Sequence, residues 1–292
     1  MRNIRLNGTQ PAPFLARGLL TPTCSSLFHT GTARKQAATE TNTKKYMQNY
    51  CKTIGALAAA SALVAGIASA EVEYTLGTGY TSEYLWRGAN LGEDLVEATA
   101  TASTEWNGIG LSAGAWYGSY DTTGFDDDDE AINEYDVDEL DLFAEASKDL
   151  GFVTAALGYI YYMNEDTLAG IDDAQEVYVK LSRDLGFASA YAVYFWDVEG
   201  DNDGYSEIGL SRGFELNQCL TLNLSTNYGF MFEETQDTAW TTKAALDWGF
   251  AENAKLSPFV ALSVALSDNQ HGEYYGDTKN ELVGGCMLST SF

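Results

Sequence analysis

The residues with the most chemical consequence in this chain are carboxylates that share one face of alternating segments. Glu97, Glu105, Asp141, Glu145, Glu176, Glu207 and Asp247 all fall on the polar parity of such segments, and Lys180 and Lys243 share that parity. Polar side chains repeated on one face of a sheet line a wet surface. If that surface is the inside of a tube, an excess of carboxylates draws cations in and repels anions. Some of the acids could instead be held in ion pairs, for example Lys180 with Glu145 or Glu207. Arg87 ends the first apolar-polar alternation, in Trp86-Arg87-Gly88. It could fold into a channel mouth and form a constriction with loop acids, or sit at the membrane interface against lipid head groups.

Catalytic constellations are not marked. Residues 71–292 contain one histidine, His271, in His-Gly-Glu-Tyr-Tyr-Gly, with no nucleophile elbow nearby. Cysteine and histidine at metal-ligand spacing are absent from the sequence. Asp201-Asn202-Asp203-Gly204 carries a fragment of a calcium-loop pattern in Asp201 and Asp203, but the downstream ligands are incomplete. The expectation is a protein that is not an enzyme, with no cofactor and no dedicated metal site.

The charge excludes another class. The chain of 292 residues has 42 acids, 16 bases and a net charge of -26. Half of the bases lie in residues 1–70 beside a single acid, Glu40, so residues 71–292 are more acidic still. Such a surface repels phosphate backbones, which argues against nucleic acid as a partner.

The elements that must position the carboxylates are strands. Val96-Ala98-Ala100-Ala102-Thr104-Trp106 alternates with Glu97-Thr99-Thr101-Ser103-Glu105, and the same period recurs down the chain. Breaks fall into short ones, such as Asn107-Gly108, and longer acidic ones at 84–94, 121–136, 164–173, 197–204, 232–237 and 267–279. The two kinds alternate, delimiting twelve strands of about ten to twelve residues. Ser147-Lys-Asp-Leu-Gly-Phe152 recurs as Ser182-Arg-Asp-Leu-Gly-Phe187, with an echo at Ser211-Arg-Gly-Phe214, each in a short break. An even number of antiparallel strands with short turns at one end and long loops at the other predicts an all-β transmembrane barrel. A secreted β-sandwich would bury one face but would not require this alternation of connections.

Aromatics fall where such a barrel meets the membrane interfaces. Trp240 and Trp248 share a face and are separated by ~20 Å along the membrane normal for tilted strands. Tyr159, Tyr161 and Tyr228 lie near long-loop ends, and Trp106 near a short turn. The chain ends on an alternating strand closed by Phe292, the pattern that outer-membrane barrels present to their assembly machinery. Cys219 and Cys286 have opposite parity on non-neighbouring strands, which predicts no bridge between them.

Residues 47–70 read as a secretory signal peptide: a positive start, an apolar run from Thr53, and an Ala68-Ser69-Ala70 exit with cleavage after Ala70. Residues 1–46 are basic and rich in Ser and Thr, and read as a mis-assigned N-terminal extension ahead of Met47. Residues 71–292 are then the barrel.

Thr81-Ser-Glu-Tyr-Leu-Trp-Arg-Gly88, just after the signal peptide, resembles the first strand and loop of the TorF-type porin family. The following strand, the Asn107-Gly108 turn and Leu111–Tyr117 are similar to that family as well. The resemblance covers about the first fifty residues of the exported part. It implies a small outer-membrane porin-like barrel of Gram-negative bacteria and little about its solute. The resulting expectation is a monomeric or trimeric channel for passive diffusion of small solutes, cation-preferring if the carboxylates face inward. Its partners would be outer-membrane lipid, the barrel assembly machinery and the permeating solutes or cations. The alternative is a non-conducting structural or adhesive barrel with acidic surface loops.

Overall fold

The computed structural model describes residues 71–125, 131–164, 173–198, 204–233, 235–267 and 279–292. Within them the alternating segments form β1 (Glu73–Trp86), β2 (Ala89–Trp106), β3 (Ile109–Phe125), β4 (Ala131–Asp149), β5 (Thr154–Asn164) and β6 (Ala174–Asp184). They continue as β7 (Ser189–Asp197), β8 (Tyr205–Asn217), β9 (Leu220–Met231), β10 (Gln236–Ala251), β11 (Ala254–Ala265) and β12 (Glu281–Ser291). Each strand pairs antiparallel with its chain neighbours, and β1 pairs with β12, closing a barrel. Closure leaves no unpaired edge, which a sheet crossing hydrocarbon requires.

The seam is in register from Thr75 opposite Ser291 to Thr81 opposite Gly285. Phe292 completes it. Its backbone N–H donates to the Tyr74 carbonyl at 3.0 Å, its carbonyl accepts from the Tyr74 N–H at 2.9 Å, and the two rings stack with centroids 5.9 Å apart.

Period-two alternation decides the faces. Val96, Leu157, Val179, Ile208, Val260 and Leu282 are large, apolar and exposed on the outer surface. An exposed apolar band around a closed barrel is the surface of a transmembrane barrel, where lipid replaces a protein core. The expected girdle residues join it: Trp106, Tyr159, Trp240 and Trp248 are exposed and face outward. The hydroxyls of Tyr159, Tyr161 and Tyr228 donate to Gln175, Asp173 and Asp237 at the long-connection end. Cys219 and Cys286 are both free; Cys219 lies in the β8–β9 turn, off the strand where parity was counted, and Cys286 lies on β12.

Three boundaries differ most from the sequence reading. The break expected at 121–136 is largely strand, with β3 reaching Phe125 and β4 starting at Ala131. The break expected at 84–94 is a two-residue turn: β1 runs on to Trp86 and β2 starts at Ala89. Arg87 and Gly88 both have positive φ, 52° and 93°, the geometry of a tight primed hairpin. Likewise Gly213 to Glu215 continue the β8–β9 ladder, and the turn comes later, at Gln218-Cys219. The residues 126–130, Asp201, Asp203, His271, and the leader with Ala70 lie outside the described residues.

Candidate pore and the hairpin that occupies it

The β1–β2 hairpin does not continue the barrel wall outward. Pairing of β1 with β12 stops at Thr81, and the ladder to β2 shifts register between Tyr84 and Leu85. From there the hairpin turns into the lumen. Its near side is apolar: Tyr84 and Leu95 pack with Trp116 and Tyr120 of β3 and Val137 of β4, with Trp86, Leu91 and Phe143 around them. Tyr84 lies edge-on to Tyr120 at 4.9 Å and tilted on Trp116 at 5.6 Å. The expectation of a wholly wet lumen is therefore corrected. Aromatic side chains of inward parity fill part of the section against β2–β4.

The tip reaches the opposite wall. The Arg87 guanidinium donates to both oxygens of Glu176 on β6, Nη1 to Oε1 at 2.7 Å and Nη2 to Oε2 at 2.5 Å. It lies over the rings of Trp86 at 4.2 Å, Phe195 of β7 at 4.7 Å and Tyr205 of β8 at 4.6 Å. In the ring order these strands sit across the barrel from the seam. Both side chains are buried, 8% and 5% exposed. A planar guanidinium suits this place better than an ammonium, because it binds a carboxylate in two bonds and stacks on rings together. Gly88 has to be glycine: a Cβ there would lie 2.5 Å from the Cβ of Ala239 on β10.

Arg87 thus does fold into the mouth, but its partner is a wall carboxylate and not the loop acids. Its place as an interfacial arginine against head groups is excluded by the burial and the Glu176 pair.

The remaining lumen residues hold the parity expected for them. Glu97 accepts from Trp116 Nε1 at 2.8 Å and Thr81 Oγ1 at 3.2 Å. Glu145 accepts from the Tyr178 hydroxyl at 2.8 Å. Glu207 accepts from Tyr191 and, at 3.1 Å, Tyr205, and from Asn227 Nδ2 at 2.5 Å. Tyr162 donates to Glu176 at 2.8 Å. The Lys243 ammonium lies 3.6 Å over the Phe259 ring, and Asp247 pairs with Lys255 at 2.6 Å. The alternative, ion pairs of Lys180 with Glu145 or Glu207, does not form among the described residues; tyrosine hydroxyls take those carboxylates. Glu105 is exposed at the short-turn end of β2. Asp141 lies beside Glu139, a carboxylate the sequence reading left out although it shares the parity.

The tyrosine partners were also left out. Tyr162, Tyr178 and Tyr205 stand on the same parity as Glu176 and Glu207, so the signal was there. It was hidden because aromatics in a barrel first suggest girdles.

Between the hairpin tip and β8–β10 lies a polar cavity of about 170 Å³, bordered by Arg87, Tyr205, Glu207, Asn227 and Thr241. At ~30 Å³ per water it would hold a few waters.

No family model matches the chain, and no curated protein matches it. Solved structures resemble the barrel. An outer-membrane channel from Pseudomonas putida F1 aligns at 9% identity over 76% of this chain and 95% of that one, with a TM-score of 0.49. The NanC porin aligns at 13% identity over 75% and 99%, with a TM-score of 0.44. The KdgM porin aligns at 9% over 75% and 99%, with a TM-score of 0.43. Likenesses this distant say nothing of what passes the pore.

Proposed function

We propose that this protein is a porin-like outer-membrane channel for passive diffusion of small solutes, narrowed by its own first hairpin and preferring cations. The observation that carries the reading is the Arg87–Glu176 clasp across the lumen, with a polar cavity of about 170 Å³ beside it. Permeation would run along the β5–β10 side, past Glu145, Glu207 and Asp247. The β2–β4 side is closed by the aromatic cluster.

Cation preference follows from the lumen inventory. Glu97, Glu105, Glu145, Glu176, Glu207 and Asp247 outnumber Arg87, Lys180, Lys243 and Lys255, even leaving aside the adjacent pair Glu139 and Asp141, which cannot both ionise. Two of these acids are neutralised in ion pairs, and the rest still outnumber the unpaired lysines. Uncompensated carboxylates on a low-dielectric wall concentrate cations. No chemical step is involved, so the protein acts without catalysis or cofactor.

Export by a cleaved signal peptide would place the barrel in the outer membrane of a Gram-negative bacterium, in contact with its lipid. The exposed Phe292 at the end of β12 would meet the assembly machinery.

A second reading, a non-conducting structural or adhesive barrel, is favoured by one specific observation: the filled section behind the hairpin. Purified barrel in a planar bilayer separates the two. Unitary currents with a cation-side reversal potential support the channel. Folded barrel without unitary current supports the structural reading.

A further inference from the structure

The repeated Ser-basic-Asp-Leu-Gly-Phe segment plays no part in the pore. It forms the same turn twice. Asp149 Oδ1 accepts from the Gly151 N–H at 2.6 Å, and Asp184 Oδ1 from the Gly186 N–H at 2.7 Å. Leu150 N–H donates to the Val153 carbonyl and Leu185 N–H to the Ala188 carbonyl, both at 2.9 Å. Gly151 and Gly186 have φ of 86° and 82°, with nothing near a Cβ position, so the glycines serve the turn itself.

These turns hold large apolar side chains out of the barrel at its short-turn rim. Phe152 and Phe187 are 66% and 61% exposed, and Leu150 and Leu185 are exposed beside them. Phe214, on the third copy, is exposed too.

The basic residue of each copy faces outward. Lys148 follows Ala144 and Ala146 on the outer parity of β4, Arg183 follows Val179 and Leu181 on β6, and Arg212 follows Ile208 and Leu210 on β8. All three are exposed. Of the other described bases, Lys180, Lys243 and Lys255 have lumen parity on their strands, Arg87 reaches into the lumen from the β1–β2 turn, and Lys279 lies just before β12 at the long-connection end. In a chain this acidic, the outward bases are thus gathered on one arc of one rim. Their steps of two strands put them on the order of 10 Å apart. The neighbouring acids Asp149 and Asp184 are turned into their own backbones. Arg212 donates to the Phe187 carbonyl and lies 5.0 Å over Phe214, which ties the second and third copies together.

We propose that the short-turn rim of β4–β9 is a binding surface for anionic phospholipid of the periplasmic leaflet. The three bases would hold phosphate head groups, and the Leu and Phe side chains would enter the acyl boundary below. This rests on the transmembrane reading of the barrel but not on conduction. The partner is a lipid because the bases lie on the parity that continues the apolar belt, at the level where hydrocarbon gives way to head groups.

The test is native mass spectrometry of the detergent-purified barrel titrated with phosphatidylglycerol and, separately, phosphatidylcholine. Phosphatidylglycerol is expected to bind at least tenfold more tightly, and more weakly as salt rises. The combined variant Lys148→Ser, Arg183→Ser, Arg212→Ser should lose on the order of a hundredfold of that affinity, about fivefold per base, and leave phosphatidylcholine unchanged. The single variant Arg183→Lys should retain it, and Arg183→Ser alone should reduce it, so a folding failure of the triple variant would not shelter the idea. Equal affinity for the two lipids, or phosphatidylglycerol binding untouched by Arg183→Ser and the triple variant, would overturn the proposal. So would a wild-type dimer in lipid-free detergent that the same substitutions disperse. A barrel that carries no current would leave these outcomes readable.

Discussion

Arg87 is the residue on which the lumen geometry turns. Its two bonds to Glu176 and its three aromatic neighbours hold the hairpin tip against the far wall. Removing one partner of a buried ion pair leaves the other desolvated and alone, at a cost of about 3–5 kcal/mol. Arg87→Ala should therefore free the tip and raise unitary conductance severalfold, with the barrel still folded by circular dichroism. Glu176→Gln should do the same. Arg87→Lys should fall between, because an ammonium cannot make the paired bonds. The individual lumen carboxylates were legible in the sequence, since parity alone places Glu97, Glu145, Glu176 and Glu207 inside. The Arg87–Glu176 contact was not legible. It joins residues 89 positions apart across a closed ring, and no local pattern carries such a distance.

At the scale of elements, the β1–β2 hairpin departs from the other ten strands by leaving the wall. Three features make it do so: the irregularity at Tyr84/Leu85, the tight Arg87-Gly88 turn, and the apolar face of Tyr84 and Leu95. Gly88→Val puts a branched side chain into Ala239 and imposes a left-handed backbone on an L-residue, itself worth about 1–2 kcal/mol. It should mimic Arg87→Ala in conductance while leaving both charges in place, which separates docking from electrostatics. The twelve strands themselves were readable from period-two alternation because lipid and lumen demand opposite chemistry on opposite faces. The hairpin was read as an acidic loop because alternation fails there. It fails because Tyr84, Leu85 and Trp86 meet protein on more than one side, so the rule of one wet and one greasy face no longer governs them.

For the whole molecule, the net charge of -26 acquires a distribution. Acids are spread over the long-connection rim, the lumen and the short turns, while the outward bases of the strands, Lys148, Arg183 and Arg212, collect at the short-turn rim. Combined Glu97→Gln, Glu145→Gln and Glu207→Gln should shift the reversal potential in a salt gradient towards zero. Each of these groups also accepts from a tyrosine, tryptophan, threonine or asparagine, and a glutamine oxygen keeps an acceptor for it. Lower thermal stability with unchanged selectivity would show instead that these carboxylates act only in packing.

The most direct measurement is the single-channel current of wild-type barrel beside Glu176→Gln in the same planar bilayer and salt gradient. A small cation-selective unitary current in the wild type, rising severalfold in Glu176→Gln, is the predicted result. Folded barrels that pass no current, or pass the same current with and without the clasp, would contradict it.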